Sequence, residues 1–374
     1  MSIKYFHLKV KEVVRETADT VTISFWHPLN EMIKYESGQF LTVIPVINGQ
    51  KVRRSYSMSS SPHTETALAI SVKKVAGGLV SNWLNDSIKE GDFLEIMEPM
   101  GNFKVSPDAR NSQTVVLIGA GSGITPLISI AKSILKVEPE SRVVLLYGSR
   151  DENNIIFKQQ LAKLATQYGE RFSLNHALSQ PSSSWTGQKG RLSSASILNL
   201  LQSVSNFNAS SAEYFLCGPD ELMNETKAVL ATLKVPENNI HKESFYHAPV
   251  DTAAVATAPV DTAAVATAVA ATIEQEDSED GSLKSQEVTV LYEGSTYTFE
   301  VAPHQTILEA ALDLDIDLPY SCQAGMCTAC MGKCTVGKIK LDEEDGLTKS
   351  ELEKGFILTC VAHPLSKGVV IEID

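Results

Sequence analysis

The sequence predicts three domains in one chain: an antiparallel β-barrel, a doubly wound parallel α/β sheet and a compact α+β unit. Three observations carry this expectation. Residues 1–108 read as closely spaced strands separated by turn signals, and from residue 113 the rhythm becomes strand, helix, strand, helix. Near the C-terminus four cysteines fall at C-x4-C-x2-C, with a last cysteine after a gap of 29 residues. A chain of 374 residues, 43% apolar and 21% charged, is long enough to give each unit its own core.

The strand runs of the first unit are 5–14, 20–26, 39–46, 53–58, 67–74 and 92–97, with Asn48-Gly49 and Gly91-Asp92 as turns. Such spacing suits a small barrel, interrupted by one helix over about 79–88. In the second unit TVVLIG (114–119) precedes a helix from about 125 to 136, and VVLLYG (143–148) precedes one from about 154 to 168. A strand at 213–217 and a helix at about 219–233 follow, an alternation that argues for a parallel sheet covered on both faces. The last unit opens with a hairpin, 287–292 and 296–301. It has capping boxes at Thr306/Glu309 and Thr348/Glu351, a helix stop at Gly355, and ends in the strand VVIEI.

The resulting division is 1–108, 109–247 and 285–374, joined by a linker over 248–284. PVDTAAVATA occupies 249–258 and recurs at 259–268, followed by the acidic run EQEDSEDG. The repeat offers no large side chain beyond Val, so burial cannot offset its ordering entropy. As a coil, 37 residues span roughly 35 Å.

The net charge of −13 is uneven: residues 1–247 carry 25 basic and 23 acidic groups, whereas 285–374 carry 6 and 15. Phosphate backbones need a basic face, so nucleic acid is excluded as a partner. An acidic third unit can instead steer toward a basic redox partner, or simply keep the chain in solution. MSIKYFHLKVKEV alternates like a strand and has no apolar signal core, and no stretch reads as a membrane span. The expectation is a cytoplasmic chain without membrane contact, its six cysteines being thiols or metal ligands.

Cys322, Cys327, Cys330 and Cys360 have the plant-type spacing for a [2Fe–2S] cluster. Between the first three, Gly325 lets the backbone wrap close, so that N–H groups reach the sulfurs. With no histidine in the loop a Rieske centre is disfavoured. The other reading is a four-cysteine zinc site, which ordinarily has two matched C-x2-C knuckles where this chain has one. Cys334 lies outside the spacing and is expected as a buried thiol.

GAGSGITP, Gly119 to Pro126, joins an apolar strand to a helix N-terminus, where glycines admit a pyrophosphate and Pro126 suits the first helical position. Alone it reads equally as a tight turn. Tyr147-Gly148-Ser149-Arg150 and Cys217-Gly218-Pro219 end strands of the same sheet at its ligand-binding edge. Arg53-Arg54-Ser55-Tyr56-Ser57, followed by Gly77-Gly78-Leu79-Val80-Ser81, offers an arginine, a stackable ring and a second helix-start anion site. Together these suggest a phosphorylated aromatic cofactor.

In this order the motifs resemble the ferredoxin–NADP reductase superfamily fused to a C-terminal plant-type ferredoxin of the β-grasp fold, over nearly all of the chain except the linker. The resemblance implies that Arg54 holds the flavin phosphate, Tyr56 packs on the flavin and Ser57 sits near its N5. It implies that Gly78, Leu79, Val80 and Ser81 bracket the FAD pyrophosphate, and that Gly119, Gly121, Gly123 and Thr125 line the nicotinamide dinucleotide. Cys217, Gly218 and Pro219 then lie near the nicotinamide, with Ser57 and Cys217 as catalytic groups. His241-Lys242-Glu243-Ser244-Phe245 closes the module, Phe245 covering the flavin ring, and Pro99-x-Gly101-x-Phe103 matches the end of the flavin barrel.

The implied activity is electron transfer from NAD(P)H through FAD and [2Fe–2S] to an oxygenase. Most narrowly the motifs resemble the reductase components of phenylacetyl-CoA epoxygenases, which implies a di-iron acceptor in phenylacetate catabolism. A hybrid-cluster protein, a fatty-acyl desaturase or a Rieske dioxygenase are alternative acceptors, and a redox-sensing adaptor is the alternative outside enzymes. Arg150 can pair with a 2′-phosphate whereas Asp151 and Glu152 oppose one, a balance that leans to NADPH over NADH.

Overall fold

Closely spaced antiparallel strands build the first unit. In the computed structural model β1 (Tyr5–Thr17), β2 (Thr20–Phe25), β3 (Phe40–Val43), β4 (Val46–Ile47), β5 (Gln50–Lys51), β6 (Arg54–Ser57), β7 (Leu68–Lys73) and β8 (Phe93–Met97) precede residue 100. The described residues are 4–29, 31–204, 207–243, 245, 284–292, 294–316, 318–320, 322, 323, 325, 327–344 and 346–373. The expected linker lies outside them, apart from Lys284.

The main sheet runs β6-β3-β8-β1-β2-β7, antiparallel throughout. A Met58–Ile70 bridge brings its two edges together into a barrel. Leu8, Ile23, Leu41, Ile70 and Leu94 fill the interior, and α1 (Leu79–Asp86) plugs one end with Val80 and Leu84. Asn48 and Gly49 both take positive φ, 54° and 83°, as the two-residue hairpin between β4 and β5 requires.

The second unit is a parallel sheet of β9 (Thr114–Ala120), β10 (Arg142–Ser149), β11 (Phe172–Leu178), β12 (Gln188–Lys189), β13 (Glu213–Cys217) and β14 (Ile240–Glu243). Its order is β12-β11-β10-β9-β13-β14. Strand β9 is apolar on both sides because both faces are covered. Val115 and Leu117 meet α2 (Ile124–Val137) and α3 (Lys158–Tyr168), while Val116 and Ile118 face α4 (Ser194–Gln202) and α5 (Asp220–Thr232). Each fully buried leucine or isoleucine here contributes about 1.5–3 kcal/mol.

Two boundaries differ from expectation. Helix α3 begins at Lys158 rather than 154, because the Asp151 carboxylate accepts N–H bonds from Asn153 and Asn154 and holds a turn there. Helix α2 begins at Ile124, so Pro126 is its third residue, a position that also needs no intrahelical N–H bond.

One stripe of α2 fastens the barrel to the sheet. Ser129 Oγ donates to the Ser60 carbonyl (2.6 Å), and Lys132 Nζ donates to the Ser59 carbonyl (3.0 Å) and pairs with Glu65. Ser133 Oγ meets Ser37 Oγ, Ser61 Oγ (2.7 Å) and His63 Nδ1 (3.0 Å). Lys132 is only 8% exposed, so its charge depends on these partners. Lys132→Met is expected to cost about 2–3 kcal/mol in chemical denaturation, below the usual figure for a broken buried pair because Glu65 keeps access to water.

The third unit comprises β15 (Gln286–Tyr292), β16 (Ser295–Val301), α6 (Ile307–Asp313), β17 (Met331–Val336), β18 (Ile339–Leu341), α7 (Lys349–Glu353), β19 (Phe356–Leu358), β20 (Ala362–Pro364) and β21 (Val369–Ile373). Its mixed sheet runs β16-β15-β21-β17-β19, with the parallel pair β15–β21 inside, and α6 packs into the core. Both capping boxes form: Glu309 and Thr306 exchange N–H bonds of 3.2 and 2.8 Å, and Glu351 and Thr348 exchange bonds of 3.3 and 2.7 Å.

Candidate flavin, nucleotide and cluster sites

Strand β6 sorts its residues by the period of two. Arg54 and Tyr56 share one face, close enough for the guanidinium to act on the phenol, whose pKa burial drives up. Ser55 and Ser57 point the other way. On α1, which packs on β7 and β2, Gly78 is the N-cap, where a Cβ would come within 2.6 Å of Ser81 Oγ. Ser81 Oγ in turn accepts the Val75 N–H at 3.1 Å, which shapes the turn before the helix. A cation, a half-buried ring and a Cβ-free helix start together suit a flavin with a phosphorylated tail.

In the parallel sheet β9 has β10 on one side and β13 on the other, so the crevice opens between the carboxyl ends of β9 and β13. Gly119 pairs with Cys217 across that line, and Cys217 with Glu243 on β14. A Cβ on Gly123 would stand 2.0 Å from the Cys217 carbonyl oxygen, and one on Gly119 2.7 Å away. The glycines therefore let the turn close on the strand end. Thr125 donates to the Ser122 carbonyl (3.0 Å), stabilising the turn instead of facing the crevice. Gly121 takes φ +56°, and its carbonyl accepts from Tyr147 OH at 3.0 Å. At the far end Arg150 is exposed, while Phe245 packs against the apolar cluster that contains Cys217.

Besides the α2 ties, barrel and sheet meet at a buried contact beside the strand ends. Ser57 Oγ donates to Glu243 Oε2 at 2.9 Å, both groups being buried. Burial pushes the Glu243 carboxyl up to about 8; the Ser57 hydrogen bond opposes this and nearby Cys322 adds to it. Burial likewise raises the Cys217 thiol, with Glu243 beside it. At neutral pH the pocket holds a proton on Glu243, hydrogen-bonded to a barrel serine and neighbouring a neutral thiol.

The cluster loop lies against the same region. Cys330 Sγ is 3.3 Å from Cys360 Sγ, Cys360 also touches Cys322, and Cys322 touches Cys327. This mutual contact, more than burial, drives the Cys327 and Cys360 thiols upward. Among the described residues no three His, Cys, Asp or Glu side chains converge on a single ion. The four sulfurs, with Gly325 at φ +67°, suit a two-iron cluster. Cys334 is half-buried on β17, its Sγ 3.3 Å from the Val336 carbonyl, and not a buried thiol as expected.

The family model described as "Oxidoreductase FAD-binding domain" matches residues 7–105, that for "Oxidoreductase NAD-binding domain" 117–228 and that for "2Fe-2S iron-sulfur cluster binding domain" 290–365. A component of the 1,2-phenylacetyl-CoA epoxidase of Escherichia coli K12 is 34% identical over 99% of this chain and 98% of its own. The chain belongs to the ferredoxin–NADP reductase superfamily, in the branch with a C-terminal [2Fe–2S] domain. Another relative of this reductase is the ferredoxin reductase component of 3-ketosteroid-9-alpha-monooxygenase from Rhodococcus rhodochrous, 36% identical over 98% of this chain and 96% of its own. Phthalate dioxygenase reductase shares the fold, with a TM-score of 0.58 at 20% identity over 99% and 98% of the two chains.

The reductase is an oxidoreductase that carries electrons from NAD(P)H through FAD and [2Fe–2S], as the reductase components of oxygenase systems do. None of its described helices is long and apolar enough to cross a membrane. Two features of the site have no signal in the sequence. Glu243 lies inside the H-K-E-S-F run without a role of its own there, and no local pattern marks a carboxylate that meets its partner across 186 positions. His176 is the other. Its Nδ1 is buried without a hydrogen-bond partner among the described residues, its ring lies between Tyr147 and Trp185, and burial lowers its pKa to about 4.

Proposed function

We propose that this chain is the reductase component of a di-iron oxygenase acting on phenylacetyl-CoA, drawing electrons from NADPH. The observation that carries the electron route is the meeting of Ser57, Glu243 and Cys322, one from each unit, at the mouth of the crevice. Full-length similarity to the Escherichia coli epoxidase component supports this acceptor. The division 1–108, 109–247 and 285–374, with 248–284 as linker, is part of this reading.

When bound, the flavin and the cluster supply the change from two-electron hydride chemistry to one-electron transfer. The residues position and protect that chemistry. Arg54, Gly78, Leu79, Val80 and Ser81 hold the phosphates of FAD, and Tyr56 packs on its ring. Gly119, Gly121, Gly123 and Thr125 shape the dinucleotide turn, with Gly218 and Pro219 beyond the Cys217 thiol. Glu243 holds a proton that Ser57 orients toward the flavin. Cys322, Cys327, Cys330 and Cys360 supply four thiolates. For the dinucleotide, Asp151 is engaged by Asn153 and Asn154, and Glu152 accepts from Ser182. Both carboxylates thus serve the loop, which leaves the exposed Arg150 as the group for a 2′-phosphate.

Mixing the chain with its oxygenase partner and phenylacetyl-CoA is expected to consume NADPH in step with epoxide formation, and NADH at least tenfold more slowly. NADPH consumption without coupling to any di-iron acceptor would reject the assignment.

A further inference from the structure

The ferredoxin unit sits on the reductase through a small interface with an apolar centre and a polar rim. Phe40, Ile44, Met97 and Met100 of the barrel cover Cys322, Cys327 and Ala329. Around this centre, Lys242 Nζ lies 3.3 Å from Glu343 Oε2, and the Arg53 guanidinium stands 4.8 Å from the centre of the Tyr320 ring. Asn102 Nδ2 donates to the Gly346 carbonyl at 3.5 Å.

Charge is matched across the rim. Residues 285–374 carry 6 basic and 15 acidic groups, and Glu343 belongs to the acidic stretch Asp342-Glu343-Glu344. The reductase units are near neutrality yet present two cations here. Lys242 and Glu343 are 26% and 34% exposed, so water only partly screens their attraction. Lys242 is also one residue from Glu243 on β14, and the ring that Arg53 covers, Tyr320, is two residues from Cys322.

We propose that Lys242 and Arg53 form a charge latch that seats the cluster loop against the flavin crevice. They are positioning residues for the passage of one electron at a time from reduced flavin to oxidised cluster, a step that makes and breaks no bond. The NAD(P)H-to-flavin step does not depend on the latch. The proposal rests on the assignment of the four cysteines as cluster ligands.

The test follows the holoenzyme by stopped flow after mixing with NADPH, reading flavin bleaching and cluster bleaching separately, with bound iron measured in each preparation. Lys242→Glu and Glu343→Lys are each expected to slow the cluster phase about tenfold, with iron content unchanged. The double reversal recovers the rate to within about threefold, because the pair attracts again. Arg53→Gln slows the same phase several-fold. Salt slows the cluster phase of the unmodified chain more than that of Glu343→Lys. Equal cluster phases in both single reversals and the unmodified chain, or no recovery in the double, overturn the latch. Flavin bleaching with no iron and no cluster phase in the unmodified chain would overturn the cluster assignment itself, and the latch with it.

Discussion

Glu243→Gln is expected to slow flavin reduction by NAD(P)H about 10²-fold while leaving dinucleotide affinity within a few-fold. The amide keeps the size of the carboxyl and can still accept from Ser57, but it has no acidic proton to share. The pH profile makes the test specific. With the Glu243 carboxyl raised to about 8, the unmodified chain should lose rate as pH rises through that value, and the variant should not. Stability follows the same proton. The unfolded carboxyl gives it up near its ordinary value of 4.5, whereas the folded one keeps it to about 8. Folding therefore holds an extra proton between those values, and stability falls as pH rises across that window. Denaturation midpoints measured from pH 5 to 8 should slope downward, and the slope should flatten in Glu243→Gln. An unchanged rate and an unchanged slope would remove Glu243 from the pocket's chemistry.

Cys360→Ala is expected to abolish bound iron and lower cytochrome c reduction at least 100-fold, while flavin-dependent ferricyanide reduction stays within about twofold. Cys360 completes the proposed ligand set, 3.3 Å from Cys330 and in contact with Cys322, so its loss would leave a three-thiolate set. The barrel and parallel sheet have their own cores, so the flavin end persists without it. Retention of iron and of cytochrome c reduction would reassign the ligands.

Both variants bear on how much the chain discloses before it folds. The four cysteines proposed as cluster ligands are legible as a set because three of them crowd one loop and the fourth lies on a turn of the same unit. The capping boxes at Thr306 and Thr348 are legible for the same reason: both partners lie within one helical turn. The glycine turn at 119–123 reads as a ligand site or a plain turn, and only its approach to the Cys217 carbonyl shows why no side chain fits there.

What stayed hidden is long-range or polar. Strand β11 interrupts its apolar run with Ser173, Asn175 and His176, and β14 reads Ile-His-Lys-Glu, so neither carries a strand's usual pattern. Their pairing comes from neighbours in the sheet. The Ser57–Glu243 contact, the cover over Cys327 and the ties from α2 to the barrel likewise exist only once separate units pack together.

Those ties give α2 a second duty. Its first turn borders the dinucleotide crevice, and its middle grips the barrel through Ser129, Lys132 and Ser133. The helix is thus a ruler that sets the gap between the glycine turn and the barrel. One residue inserted between Pro126 and Ser129 would swing the gripping face by about 100°, so evolution can lengthen the surrounding loops far more freely than this rod.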